Sequence, residues 1–159
     1  MKRLFMLILA LLTALMMASC KKAEEPAEPE ADTDSGYRRT TLYYATEDGF
    51  IVPVMKSIPW EEGIGRAALS YLVSGIDNDK SAAMMGLKTV IPEGTECTLR
   101  IGEGGSARVD LADIGQQTEE QEQAMVVAIV NTLTEFPSIN NVSLTIDGKE
   151  KKTLSNGTD

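Results

Sequence analysis

A chain of 159 residues with a net charge of −9 and no histidine is ill suited to nucleic acid, whose binding rewards basic patches through counterion release. The same charge opposes electrostatic adhesion to anionic lipid. The lack of histidine removes the commonest general base and the commonest metal ligand, and Cys20 and Cys97, its two cysteines, cannot form a disulfide framework of the kind that staples small domains.

At the N-terminus, Lys2 and Arg3 precede an uncharged, mostly apolar stretch from Leu4 to Ala18, which runs into Ser19 and Cys20. A basic start, a short apolar core and small residues before a cut site predict a secretory signal peptide over residues 1–19. The stretch is shorter than the roughly 20 residues that a membrane-spanning helix needs. Ala18-Ser19-Cys20, with Met17 where leucine is commonest, resembles a bacterial lipobox. That resemblance implies that Cys20 becomes the mature N-terminus and carries a lipid, palmitate included, placing the protein on the outer face of the cytoplasmic membrane. Residues 20–36 then read as a tether. Glu24, Glu25, Glu28, Glu30, Asp32 and Asp34 crowd a segment with no large apolar residue, too polar to offset the entropy of ordering it. Extended, the tether reaches about 50 Å.

Residues 37–150 form one domain, large enough to bury a core, and 151–159 a short tail. Thr40–Ala45 and Phe50–Ile58 are rich in β-branched and aromatic residues and flank Thr46-Glu47-Asp48-Gly49, a hairpin signal; Pro53 marks the second run as an edge strand or bulge. From Glu61 to Ser74, Ile64, Ala67, Ala68, Tyr71 and Leu72 recur at helical spacing and stop at Gly75, with Gly63 and Gly65 weakening the first turn. Residues 76–96 read as a long connection pinned to the core by Met84, Met85 and Leu87. Cys97–Ile101 and Ala107–Leu111 make a second hairpin around Gly102-Glu103-Gly104-Gly105. In it Cys97 falls on the apolar face as a buried thiol. Thr118-Glu119-Glu120-Gln121 is a capping box with acidic residues where the helix dipole favours them. Met125, Val126, Ile129, Val130 and Leu133 share one face of the helix that follows, and Val127 and Ala128 widen it, predicting packing on more than one side before Pro137. Val142, Leu144 and Ile146 alternate as a last strand closing at Asp147-Gly148. The order ββαββαβ predicts an α+β fold: a small sandwich of a mixed sheet with two helices on one face.

Within this pattern, Ile129-Val130-Asn131-Thr132-Leu133-Thr134-Glu135-Phe136-Pro137, followed by Val142 and Ile146-Asp147-Gly148, closely resembles the GerMN domain family. Leu42-Tyr43-Tyr44-Ala45, Ile91-Pro92-Glu93-Gly94-Thr95 and Ala107-Arg108-Val109-Asp110-Leu111 add to the match, which spans roughly residues 38–150. Ser74-Gly75-Ile76 departs from the Gly-Pro often found after the first helix, and the chain has room for one such domain where tandem pairs also occur. The resemblance implies a lipoprotein of spore formation and germination, a domain similar to ring-building motifs, and envelope or sporulation-complex proteins as partners, ring-forming ones among them.

Catalytic, cofactor and metal sites find little support in the residues. Asp77-Asn78-Asp79-Lys80-Ser81 begins like a calcium loop, but Ala82 stands where glycine is required and Lys88 where the closing glutamate belongs, so a cap or turn is the better reading. Gly102–Gly105 leads into a strand, whereas a dinucleotide site leads into a helix. Asp110 and Asp113 suit turn or capping duty. Asn131, Thr132 and Thr134 either belong to a docking surface or bond carbonyls at the helix end. Tyr43 and Trp60 are candidate contact aromatics, although Trp60 could equally pack against the first helix. The expected function is therefore a non-catalytic assembly module. A lipoprotein that binds a small molecule or cell-wall ligand in a concave pocket is the second reading, with little aromatic material for stacking sugars.

Overall fold

Two β-hairpins enclose a shared core in the computed structural model, which describes residues 36–59 and 63–150. The signal peptide, Cys20, the tether, Trp60, the expected helix start at Glu61 and the 151–159 tail lie outside the described residues. The first hairpin pairs β1 (Tyr37–Thr46) with β2 (Ile51–Pro59) in antiparallel register across the Asp48-Gly49 turn, Tyr43 opposite Pro53 and Thr41 opposite Met55. Gly49 takes a positive φ of 82° there, which glycine adopts without steric cost.

β2 is an edge strand, as Pro53 implied, and the register explains how the proline fits. The Tyr43 amide donates to Thr132 Oγ1 at 3.0 Å and so takes no part in the β1–β2 ladder. Tyr43 and Pro53 are thus a non-hydrogen-bonded pair, whose main-chain groups point away from each other. The donor that Pro53 lacks would have faced the open edge, where its absence also discourages pairing with another strand.

After this hairpin, α1 (Ile64–Ser70) starts from Gly63 at φ 87°, and Leu72 follows it into the core. Gly65 is buried, and a β-carbon there would lie 2.8 Å from Leu99 Cδ2, so the glycine lets the helix approach Leu99. The expected connection contains a further helix, α2 (Ile76–Ala83), and a short strand, β3 (Leu87–Lys88), on the far edge of β1. Asp79 explains the extra helix: its Oδ2 accepts from the Gly75 amide at 3.1 Å and its Oδ1 from the Thr89 hydroxyl at 2.6 Å. Met84 and Met85 do not pin this segment, being 81% and 44% exposed; Ala82 is buried instead, with Leu87 packed against the core.

The second sheet runs β4-β5-β6-β7, with β4 (Glu96–Ile101) antiparallel to β5 (Ser106–Ala112) and β5 parallel to β6 (Asn141–Ile146), while β7 (Lys149–Glu150) completes the far edge. A 3₁₀ turn over Glu103–Gly105 joins β4 and β5. The parallel pair requires a crossover, which α3 (Glu119–Thr134) supplies. Its capping box is complete: Thr118 Oγ1 accepts from the Gln121 amide and Gln121 Oε1 from the Thr118 amide. Met125, Ala128, Ile129, Thr132 and Leu133 are fully buried, and α3 packs on β1, β6 and α1 together, the multi-sided burial that Val127 and Ala128 foretold.

The class is α+β, with three α-helices and two sheets among the described residues where two helices and a single sheet were expected. The sheet divides because β1 pairs with β2 and β3 alone, leaving α3 to bridge to the second sheet. Leu42, Tyr44, Ile58, Leu69, Val109, Leu111, Ile129, Leu133 and Leu144 nevertheless form one apolar cluster drawn from both sheets and from α1 and α3.

Candidate functional site

Alternation along the first hairpin sends Leu42, Tyr44, Val54 and Ile58 inward and leaves Tyr37, Tyr43, Pro53 and Met55 on the outer face. Tyr37 is 53% exposed and Met55 62%, with Phe50 at 69% beside the turn. Exposed side chains of this size are the material of protein contacts. Tyr43 is more constrained: its hydroxyl donates to Glu135 Oε1 at 2.8 Å, and that bond, ahead of burial and the carboxylate's charge, raises the phenol above its ordinary range. On the inner face Lys56 reaches Ser81 Oγ at 3.2 Å and sits 4.5 Å from the Tyr71 ring centre, with burial lowering its ammonium's pKa.

At the end of α3, hydrogen bonds within the fold account for two of the three polar residues. Thr134 Oγ1 donates to Val130 O at 2.8 Å, and Thr132 is buried against the β1 amide of Tyr43. These are structural bonds, and Thr132 offers nothing to a partner. Asn131 is half-buried.

The outer face of the second sheet holds a polar hollow of about 230 Å³, open to solvent and lined by Thr98, Arg100, Arg108, Asp110, Thr145 and Gly148. Asp110 Oδ1 accepts from the Thr145 hydroxyl and, at 3.0 Å, from the Gly148 amide. These bonds, in that order, lower its pKa, with smaller help from Arg100 and Arg108. Asp110 thereby fastens β5 to the turn after β6. Asp113 is not paired with it; at φ 61° it donates its amide to Asp147 Oδ1 at 3.3 Å. Both aspartates do turn work, as expected, and Asp110 also lines the hollow.

Arg100 and Arg108 lie directly opposite across β4 and β5. Neither stood out in the one-dimensional pattern, although the hairpin register set by Gly102–Gly105 would have revealed the juxtaposition. The calcium-like Asp77–Ser81 run is the body of α2, and Asn78 spends its amide group on Ser70 O and Val73 O. Among the described residues no three Asp, Glu or Cys side chains gather as a metal set. Cys97 packs against the core, its thiol pushed up to about 11 by burial, well away from the reactive range. No described helix is long and apolar enough to cross a membrane.

Comparison with known proteins gives this architecture relatives. The sequence profile of the Germane family, described as sporulation and spore germination, matches residues 41–152. The spore germination protein GerM of Bacillus subtilis (strain 168) is 30% identical over 137 residues, covering 86% of this chain and 37% of that protein. The chain thus spans little more than a third of its relative's length. The solved first GerMN domain of the B. subtilis protein is 30% identical with a TM-score of 0.67, covering 76% of this chain and 90% of that one. The solved tandem GerMN domains give a TM-score of 0.66 at the same identity, over 77% of this chain and 43% of theirs. With a family match across most of the chain and a shared fold, the chain belongs to the Germane family of sporulation and spore germination domains.

Proposed function

We propose that this protein is a non-catalytic lipoprotein that acts in spore formation or germination by holding a single GerMN domain near the membrane as a docking module for other envelope proteins. The family membership carries the reading: the matched region covers nearly all of the folded part, and the relative is a spore germination protein. Exposed Tyr37, Phe50 and Met55 on and beside the first hairpin support contact with a protein partner. Pro53, by withholding a donor from the β2 edge, favours contact through the side-chain face over strand addition. Lipid attachment at Cys20 would place the domain on the outer face of the cytoplasmic membrane, with sporulation-complex proteins, ring-forming ones among them, within the tether's reach.

The test is affinity capture of the tagged full-length protein from cross-linked sporulating and vegetative cells, with a Cys20→Ser control. Recovery of sporulation-complex proteins that depends on Cys20 is the expected result. Recovery of the same abundant envelope proteins in both states, with or without Cys20, would refute the docking reading.

A further inference from the structure

The geometry points to a second binding site, on the outer face of the β4–β5–β6 sheet, where Arg100 and Arg108 take a phosphate-type oxyanion in the hollow that Thr98 and Thr145 also line. Three observations carry it. The register places the two arginines directly opposite one another, where like charges on adjacent strands repel. No described residue forms an ion pair with either guanidinium; the Asp110 carboxylate, their neighbour in the hollow, offsets only part of their combined charge and is held through Oδ1 by Thr145 and the Gly148 amide. A fold that keeps two facing guanidiniums on its surface therefore carries a repulsion that a bound anion would convert into attraction.

The second observation is charge contrast. In a chain of net −9, a paired cationic spot is a local exception rather than part of a diffuse basic field. It would select a compact anion at short range without drawing polyanions from a distance. The third is shape. The hollow, at about 230 Å³ and open on one side, suits a single oxyanion group and whatever stem carries it into solvent. A planar carboxylate offers its bidentate face to one guanidinium fork at a time, whereas a tetrahedral oxyanion has enough oxygens to meet both forks and a hydroxyl bidentately or singly. Asp110 disfavours deep penetration, so the anion sits outward, between the arginine tips.

The ligand could be a free phosphate or the phosphate of a lipid headgroup, which the same chemistry would recognise. The experiment is an NMR titration of the ¹⁵N-labelled full-length chain in uncharged detergent with inorganic phosphate, glycerol 3-phosphate and glutamate, against chloride at matched ionic strength. Saturable shifts confined to Thr98, Arg100, Arg108, Asp110, Thr145 and Gly148, weakened at least tenfold in Arg100→Gln/Arg108→Gln, are expected for a phosphate ligand. Tighter binding of glycerol 3-phosphate than of inorganic phosphate identifies the headgroup source, and the reverse order the free anion. Equal shifts with chloride, shifts that persist in the double variant, or saturation by glutamate but not by phosphate would overturn the proposal. Both substitutions lie on exposed positions, and an unchanged spectrum away from the hollow confirms that the variant is folded.

Discussion

Gly104 and Gly105 stand side by side with positive φ of 70° and 73°, yet only one of them is boxed in. A β-carbon on Gly104 would meet nothing, whereas one on Gly105 would lie 2.7 Å from Ser138 O and 2.6 Å from Asn140 Nδ2. Gly104→Ala should therefore cost about 1 kcal/mol, the ordinary penalty for an L-residue in left-handed backbone. Gly105→Ala should cost about 3 kcal/mol, because overpacking adds to that strain. Urea denaturation of the two variants checks the difference. Similar losses would mean that the turn moves away from the Ser138–Asn140 loop at little cost. Cys97 gives a second prediction at this scale. Burial raises its thiol from 9.0 to about 11. Below pH 9 the thiol is protonated whether the chain is folded or not. As pH climbs from 9 towards 11 only the unfolded chain ionises, so the stability owed to the buried neutral thiol is lost across that window. Cys97→Ala should flatten the loss above pH 9 in thermal melts. A remaining decline from about pH 10 is expected from Tyr44, whose phenol is pushed up to about 12 by burial.

At the scale of elements, the decisive contact is between α3 and the edge of β1. β3 covers only Ala45 and Thr46 of that edge, and Thr132 Oγ1 takes the Tyr43 amide further along. A helix side chain thus closes a sheet edge that another strand could otherwise join. Thr132→Val keeps nearly the same volume but leaves the amide without an acceptor, for a loss of about 2 kcal/mol. Chemical denaturation measures it, and a loss below about 0.5 kcal/mol would show that the amide finds another partner. This contact also marks where the sequence could be read and where it could not. The α3 helix was legible because its capping box and apolar spacing are local, and the 3.6-residue period needs no tertiary knowledge. Thr132 was not: a threonine near a helix end looks like a carbonyl-bonding residue, and only the position of β1 makes it a bridge. The helix α2 escaped notice because Asp77-Asn78-Asp79-Lys80 lacks an apolar stripe. It is held by Asp79 reaching back to Gly75 and across to Thr89, partners that no periodicity announces.

For the whole molecule, two outward-facing surfaces differ in chemistry: the first hairpin exposes large apolar side chains, and the second sheet sets two arginines beside a polar hollow. The outer hairpin side chains Phe50 and Met55 add little to the fold, being 69% and 62% exposed. Phe50→Ser/Met55→Thr should change stability by less than about 0.5 kcal/mol while markedly reducing the recovery of partners in the cross-linking capture. Undiminished recovery would move the contact elsewhere on the domain. The candidate surfaces were harder to read than the fold, since facing arginines and clustered apolar side chains are properties of register, not of spacing along the chain.

The sequence alone determined the acidic charge, the hairpins, the capped helix and the family, because each is written in local composition or in a contiguous motif. It also determined that histidine chemistry is closed to this chain. The tertiary structure alone decided that the strands divide into two sheets, that Thr132 ties α3 to β1, that Met84 and Met85 lie outside the core, and that Arg100 and Arg108 face each other in register and line one hollow. Each of these depends on which residues from distant parts of the chain come within a few ångströms of one another, and long-range pairing is set by burial of the whole core rather than by any one segment's pattern.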